Sequence, residues 1–90
     1  MPTSSETLVA LPADVDLHAR PAADFVRAAM KFRSTTVTVH ANGREADAKS
    51  LLSILALGAK RGTTLRLSAD GDDAAAALDA LAGCIVEFRE

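Results

Sequence analysis

Residues 17–23 read Leu17-His18-Ala19-Arg20-Pro21-Ala22-Ala23, and their types and order suit one kind of chemistry. Pro21 lacks an N–H and holds φ near the helical value, so it fits a first helical turn and breaks an interior one. Ala22, Phe25, Val26 and Ala29 then keep helical spacing. His18 is therefore expected near the N-cap of a helix beginning at Ala19, with the N–H groups of Ala19 and Arg20 lacking intrahelical partners. An imidazole, free amide donors, the positive end of a helix and a guanidinium then share one small volume, which suits holding a phosphoryl group. Neutral imidazole is a good nucleophile near pH 7 and forms a labile P–N bond. The helix start favours the attached dianion by about 0.3–1 kcal/mol, or about 2 when partly buried. Arg20 can add charge-assisted hydrogen bonds.

The rest of the chain supplies elements to position this heptad. Glu6–Ala13, with Leu8, Val9 and Leu11, reads as a first strand bounded by Pro12 and Asp14. The first helix is expected over Ala19–Phe32. Residues 35–41 alternate Thr36, Thr38 and His40 with Val37 and Val39, a strand with one buried face. Asn42-Gly43 is a strong hairpin signal leading into a strand over Arg44–Asp47. Ser50 opens a short helix ending near Gly58. After Gly62, Leu65 and Leu67 mark a last strand, with Asp70-Gly71 as a turn. Asp72 is expected to cap a final helix whose Ala74, Leu78, Leu81, Ile85 and Phe88 form one stripe. The order βαββαβα, with one-sided strands beside amphipathic helices, implies an α+β fold. Its antiparallel sheet should be covered by helices on one face.

Ninety residues allow a single domain, 1–90, with residues 1–5 expected to fray. Cys84 is the only cysteine, which excludes an internal disulfide and fits a reducing cytoplasm. Neither a signal peptide nor a membrane span is expected, the longest apolar-leaning stretch being residues 51–59. Residues 18–66 hold nine of the ten Lys and Arg but only three of the twelve acids, which suggests a basic side that meets a partner. Nucleic acid is disfavoured as that partner, because no aromatic residues are interleaved with the bases. No spacing of His, Cys and Asp suggests a metal and no glycine-rich loop suggests a nucleotide, so no cofactor is expected.

Two motifs resemble one family. Leu17–Ala23, followed by Phe25-Val26, and Ala48-Lys49-Ser50-Leu51-Leu52-Ser53-Ile54, followed by Leu57-Gly58 and Lys60-Arg61-Gly62, resemble the HPr phosphocarriers of the bacterial phosphoenolpyruvate-dependent sugar phosphotransferase system. Asn42-Gly43 and residues 67–71 fit as well. The resemblance spans about residues 6–88 and implies an open-faced β-sandwich, a four-stranded antiparallel sheet covered on one face by three helices. It implies that His18 is the phosphoacceptor, through Nδ1, and Arg20 the phosphate-stabilising arginine. Enzyme I would be the donor and sugar-specific IIA components the acceptors. The chain would then be a cytoplasmic, monomeric transfer intermediate rather than a free-standing catalyst.

The resemblance also gives roles to the second motif. Ser50 is expected to cap the short helix, and in some relatives this serine is a regulatory site for a kinase. A regulatory binding module switched at Ser50 is the alternative reading of the whole chain. Ala19, Ala23, Arg27, Lys49, Leu51, Leu52 and Leu55 are the candidate docking residues, with Leu51 and Leu52 expected to be exposed. Asp16 departs from the family pattern, which usually has glycine directly before the Leu-His pair, a residue type that suggests positive φ or close packing. Its carboxylate is expected to repel the incoming phosphoryl group and slow transfer. His40 is expected on the solvent face of its strand, and Cys84 half-buried and inert.

Overall fold

Alternation of small polar and branched apolar residues decides the strands. A computed structural model of the chain describes residues 4–88. In it, β1 (Ser4–Ala10), β2 (Thr35–Ala41), β3 (Arg44–Asp47) and β4 (Thr64–Gly71) form one antiparallel sheet in the order β1-β4-β2-β3. Val37, Val39, Ala46, Leu65, Leu67 and Ala69 point inward and are buried. Among the described residues no helix covers the opposite face, which carries Glu6, Thr38, His40, Arg66 and Ser68, an open-faced sandwich.

Three helices close the other face. α1 (Ala19–Met30) buries Pro21, Ala22, Phe25, Val26 and Ala29. α2 (Leu51–Ala56) contributes Ile54. The stripe of α3 (Ala74–Val86), continued by Phe88, is buried at all five expected positions. α1 packs against both α2 and α3, while α3 covers β1, β4 and β2. At the Asn42-Gly43 turn both residues have positive φ, 54° and 74°, the geometry of a tight hairpin. Its tip also holds α2: Asn42 Nδ2 donates to Leu57 O at 3.1 Å, and Arg44 Nη1 to Ala56 O at 3.0 Å. These contacts satisfy carbonyls at the helix end with polar and cationic partners.

Several boundaries differ from the sequence reading, each for a non-local reason. β4 continues through Gly71 instead of turning at Asp70-Gly71, because Ser4 pairs with Asp70 and Thr35 with Gly71. β1 accordingly starts earlier than expected, and Ser4 and Ser5 are strand residues rather than frayed ones; residues 1–3 lie outside those described. Leu11 N–H still reaches Thr63 O at 2.9 Å, but Pro12 has no N–H with which to extend the ladder. α1 stops at Met30, where Lys31 is its C-cap. The N-cap of α3 is Asp73, not Asp72, and its side chain makes no capping bond. Instead the Asp73 N–H donates to the hydroxyl of the buried Thr35, 3.3 Å away, which ties α3 to the start of β2.

Candidate functional site

His18 is the N-cap of α1, in extended conformation at φ −111° and ψ −168°, without a side-chain capping bond. Its carbonyl receives the helix's first backbone bond, from Ala22 N at 2.9 Å. The N–H groups of Ala19 and Arg20 precede that bond, and Pro21 has none to offer, so two amides lie at the helix start without an i−4 acceptor. His18, Ala19 and Arg20 are all exposed. Among the described residues the Arg20 guanidinium makes no hydrogen bond or ion pair. The arrangement can receive a phosphoryl group on the imidazole and stabilise it with amides, helix dipole and guanidinium together. A shallow groove on the open sheet face, lined by Glu6, Thr36, Thr38, Ser68 and Asp70, is separate from these residues. His18 instead sits exposed at the N-terminal end of α1.

The loop before His18 is held on both sides. Leu17 N donates to Ala59 O at 3.1 Å and Gly62 N to Pro12 O at 3.2 Å, lacing residues 12–17 to residues 59–62. Asp16 takes part in this lacing: its Oδ1 accepts the Arg61 backbone N–H at 2.7 Å and lies 3.5 Å from Arg61 Nε. The Arg61 backbone bond, then its guanidinium charge, hold the Asp16 carboxyl below the ordinary carboxylate value of 3.8, and the charge of His18 adds in the same direction. The stabilisation these bonds give is therefore fully present above pH 3.8 and is lost as pH falls from there through the lower value the carboxyl has in the fold. Two features bear on the expectations for Asp16. Asp16 has negative φ, since Asn42 is the only positive-φ residue besides glycines among the described residues. Its carboxylate is also paired with a cation rather than standing bare beside the histidine. In the sequence Arg61 is only part of the second motif, and nothing local pairs it with Asp16 across 45 residues.

The second motif lies on α2, beside α1. Ser50 caps α2: its Oγ accepts the Ser53 N–H at 3.3 Å and donates to Ser53 Oγ at 3.0 Å. Ser50→Ala should lower stability by about 1 kcal/mol, a fall in Tm of roughly 4–8 °C by thermal unfolding. Leu51 and Leu52 are exposed, 38% and 81%, while Leu55 packs against the core. Ala23 is half-buried. Arg27 pairs with Asp24 on α1. Lys49 is less free than the sequence suggested, because its Nζ donates to Phe32 O at 2.8 Å and braces the α1–β2 loop.

The other polar residues are accounted for. His40 lies half-buried on the open face, Nδ1 3.5 Å from Glu45 and Nε2 3.4 Å from Ser68 Oγ, rather than fully in solvent. Burial, then the charges of Asp24 and Glu87, raise the Cys84 thiol above its ordinary pKa, so it stays protonated and unreactive at neutral pH. Among the described residues no group of three or more His, Cys, Asp or Glu could hold a metal ion. No helix among them is long and apolar enough to cross a membrane.

A four-stranded sheet covered on one face by three helices, with an exposed histidine at the start of the first, defines a class of small α+β domains, the open-faced sandwiches. The family model described as the PTS HPr component phosphorylation site matches residues 5–87. The chain belongs to the HPr family, the phosphocarriers of the phosphotransferase system. It is 42% identical over 76 residues to the phosphocarrier protein HPr of Vibrio cholerae, covering 84% of this chain and 88% of that relative. The crystal structure of HPr-C-His from Thermoanaerobacter tengcongensis matches with a TM-score of 0.85 and 39% identity over 91% of each chain. Bacillus subtilis Crh, a catabolite-repression protein crystallised as a domain-swapped dimer, matches with a TM-score of 0.73 and 36% identity, covering 82% of this chain and 84% of Crh.

Proposed function

We propose that this chain accepts a phosphoryl group on His18 from phosphorylated enzyme I and passes it, as a monomer, to sugar-specific IIA components. The observation that carries this reading is the exposed His18 at the N-cap of α1, directly ahead of the amides of Ala19 and Arg20. In the forward step the lone pair of a ring nitrogen, Nδ1 by family resemblance, forms a P–N bond. The bond to the donor breaks, and the donor keeps its electron pair. The second transfer reverses these roles, so no oxidant, metal or water is consumed. The helix start and Arg20 hold the charge without a cage, which suits a group that must leave again. The test is a relay: chain phosphorylated with enzyme I and phosphoenolpyruvate, then isolated, should transfer its label to a IIA component. A label that stays on the chain would overturn the reading.

Leu51 and Leu52, with Ala19, Ala23, Arg27, Lys49 and Leu55 around them, form the proposed docking surface for both partners. A small apolar patch with a basic rim favours fast capture and release over tight binding. Leu52→Asp should raise the KM for enzyme I about ten-fold, since apolar contact is replaced by a desolvated charge. Because Leu52 is exposed, thermal unfolding should shift by less than about 0.5 kcal/mol.

The likeness to Crh favours a second reading, a regulatory module switched by a serine kinase at Ser50. The Ser50 hydroxyl is already engaged as donor and acceptor in the α2 cap, which favours the capping role. Wild type and His18→Ala separate the two readings, because only the carrier needs the imidazole.

A further inference from the structure

Asp16 and Arg61, 45 residues apart in the chain, meet just ahead of the proposed phosphoacceptor, and their contact has two separable parts. One is a tether: the Asp16 Oδ1 accepts the Arg61 backbone N–H at 2.7 Å, a bond that does not depend on the Arg61 side chain. It joins the Leu17–Ala59 and Gly62–Pro12 backbone bonds in fixing residues 12–17. The other is a charge pair, Arg61 Nε lying 3.5 Å from the same oxygen. The His18 backbone N–H donates to Asp16 O at 3.0 Å, so any shift of Asp16 is passed directly to the histidine. A carboxylate this close would oppose the arrival of a dianionic phosphoryl group unless a cation offset it.

We propose that Asp16 is a positioning residue that fixes the loop presenting His18, and that Arg61 offsets its charge so that the loop can carry an anion. The proposal rests on His18 being the phosphoacceptor. Arg61 acts here through Asp16 and not as part of the docking rim, and the two roles make different predictions. Asp16→Asn keeps the oxygen acceptor and removes the charge. Asp16→Ala removes both. Arg61→Ala keeps the backbone donor and removes only the cation.

The experiment measures initial rates of phosphorylation by enzyme I and phosphoenolpyruvate in low and high salt, with thermal unfolding of each variant. Asp16→Asn should match or exceed wild type. Asp16→Ala should be slower at both salt concentrations, because a lost tether is not an ionic effect. Arg61→Ala should slow transfer about three- to ten-fold at low ionic strength, and the deficit should shrink as salt screens the bare carboxylate. The decisive variant is Asp16→Asn with Arg61→Ala, which should return to the wild-type rate. Persistence of the Arg61→Ala deficit in that double variant would overturn the proposal and place Arg61 on the docking surface. An Arg61→Ala rate equal to wild type would overturn it too. Absence of phosphorylation in wild type, or its survival in His18→Ala, would instead refute the phosphoacceptor reading.

Discussion

His18→Ala is expected to remain folded and to lose phosphoryl transfer from enzyme I by a factor on the order of 10⁴ or more, down to background. The size of the effect follows from the chemistry. On the proposed function the ring nitrogen forms the bond, and neither the amides of Ala19 and Arg20 nor the Arg20 guanidinium can replace a nucleophile. The fold should persist because the imidazole is exposed and makes no capping bond to α1. The first helical bond, Ala22 N to His18 O, is a backbone interaction that alanine retains. Thermal unfolding should move by less than about 1 kcal/mol. Parallel loss of stability and transfer would mean that His18 serves the fold rather than the chemistry.

Gly71→Ala should have the opposite profile. Gly71 has φ of +142°, a region that side-chain-bearing residues rarely adopt, and it ends β4 opposite Thr35. A Cβ there would meet Ser34 O and lie 2.8 Å from Thr35 Cα, backbone atoms that cannot swing aside as a side chain could. Strain and overpacking together should cost about 3 kcal/mol, and in a domain of this size Tm should fall by roughly 15 °C. Such a shift would spread through Thr35, whose hydroxyl anchors the N-cap amide of α3. Below its Tm the variant should still accept phosphoryl, because the strain lies away from His18. A Tm close to wild type would show that the Ser34-Thr35 backbone yields more readily than its packing implies.

The sequence carried what is local. Pro21 and the apolar spacing after it locate the helix start and so assign His18 to the N-cap, where the structure has it. Asn42-Gly43 specified its own turn, and the stripe from Ala74 to Phe88 specified the buried face of α3. What escaped was set by partners remote in the chain. β4 reaches Gly71 only because Ser4 and Thr35 offer it ladder partners. Asp73 rather than Asp72 starts α3 because Thr35 receives its amide. In the site itself, residue types located the exposed His18 at the helix start and its neighbours Ala19 and Arg20, the residues on which the proposed function rests. The electrostatic setting of Asp16 depended on Arg61, and the hold of Lys49 on Phe32, across 17 residues, was equally invisible.

The account stands most directly on the phosphorus spectrum of the wild-type chain after incubation with enzyme I and phosphoenolpyruvate. A phosphoramidate resonance that disappears in mild acid, with the modified peptide mapped to His18, is the predicted result. A phosphoester stable to acid, or a phosphoramidate mapped to His40, would contradict it.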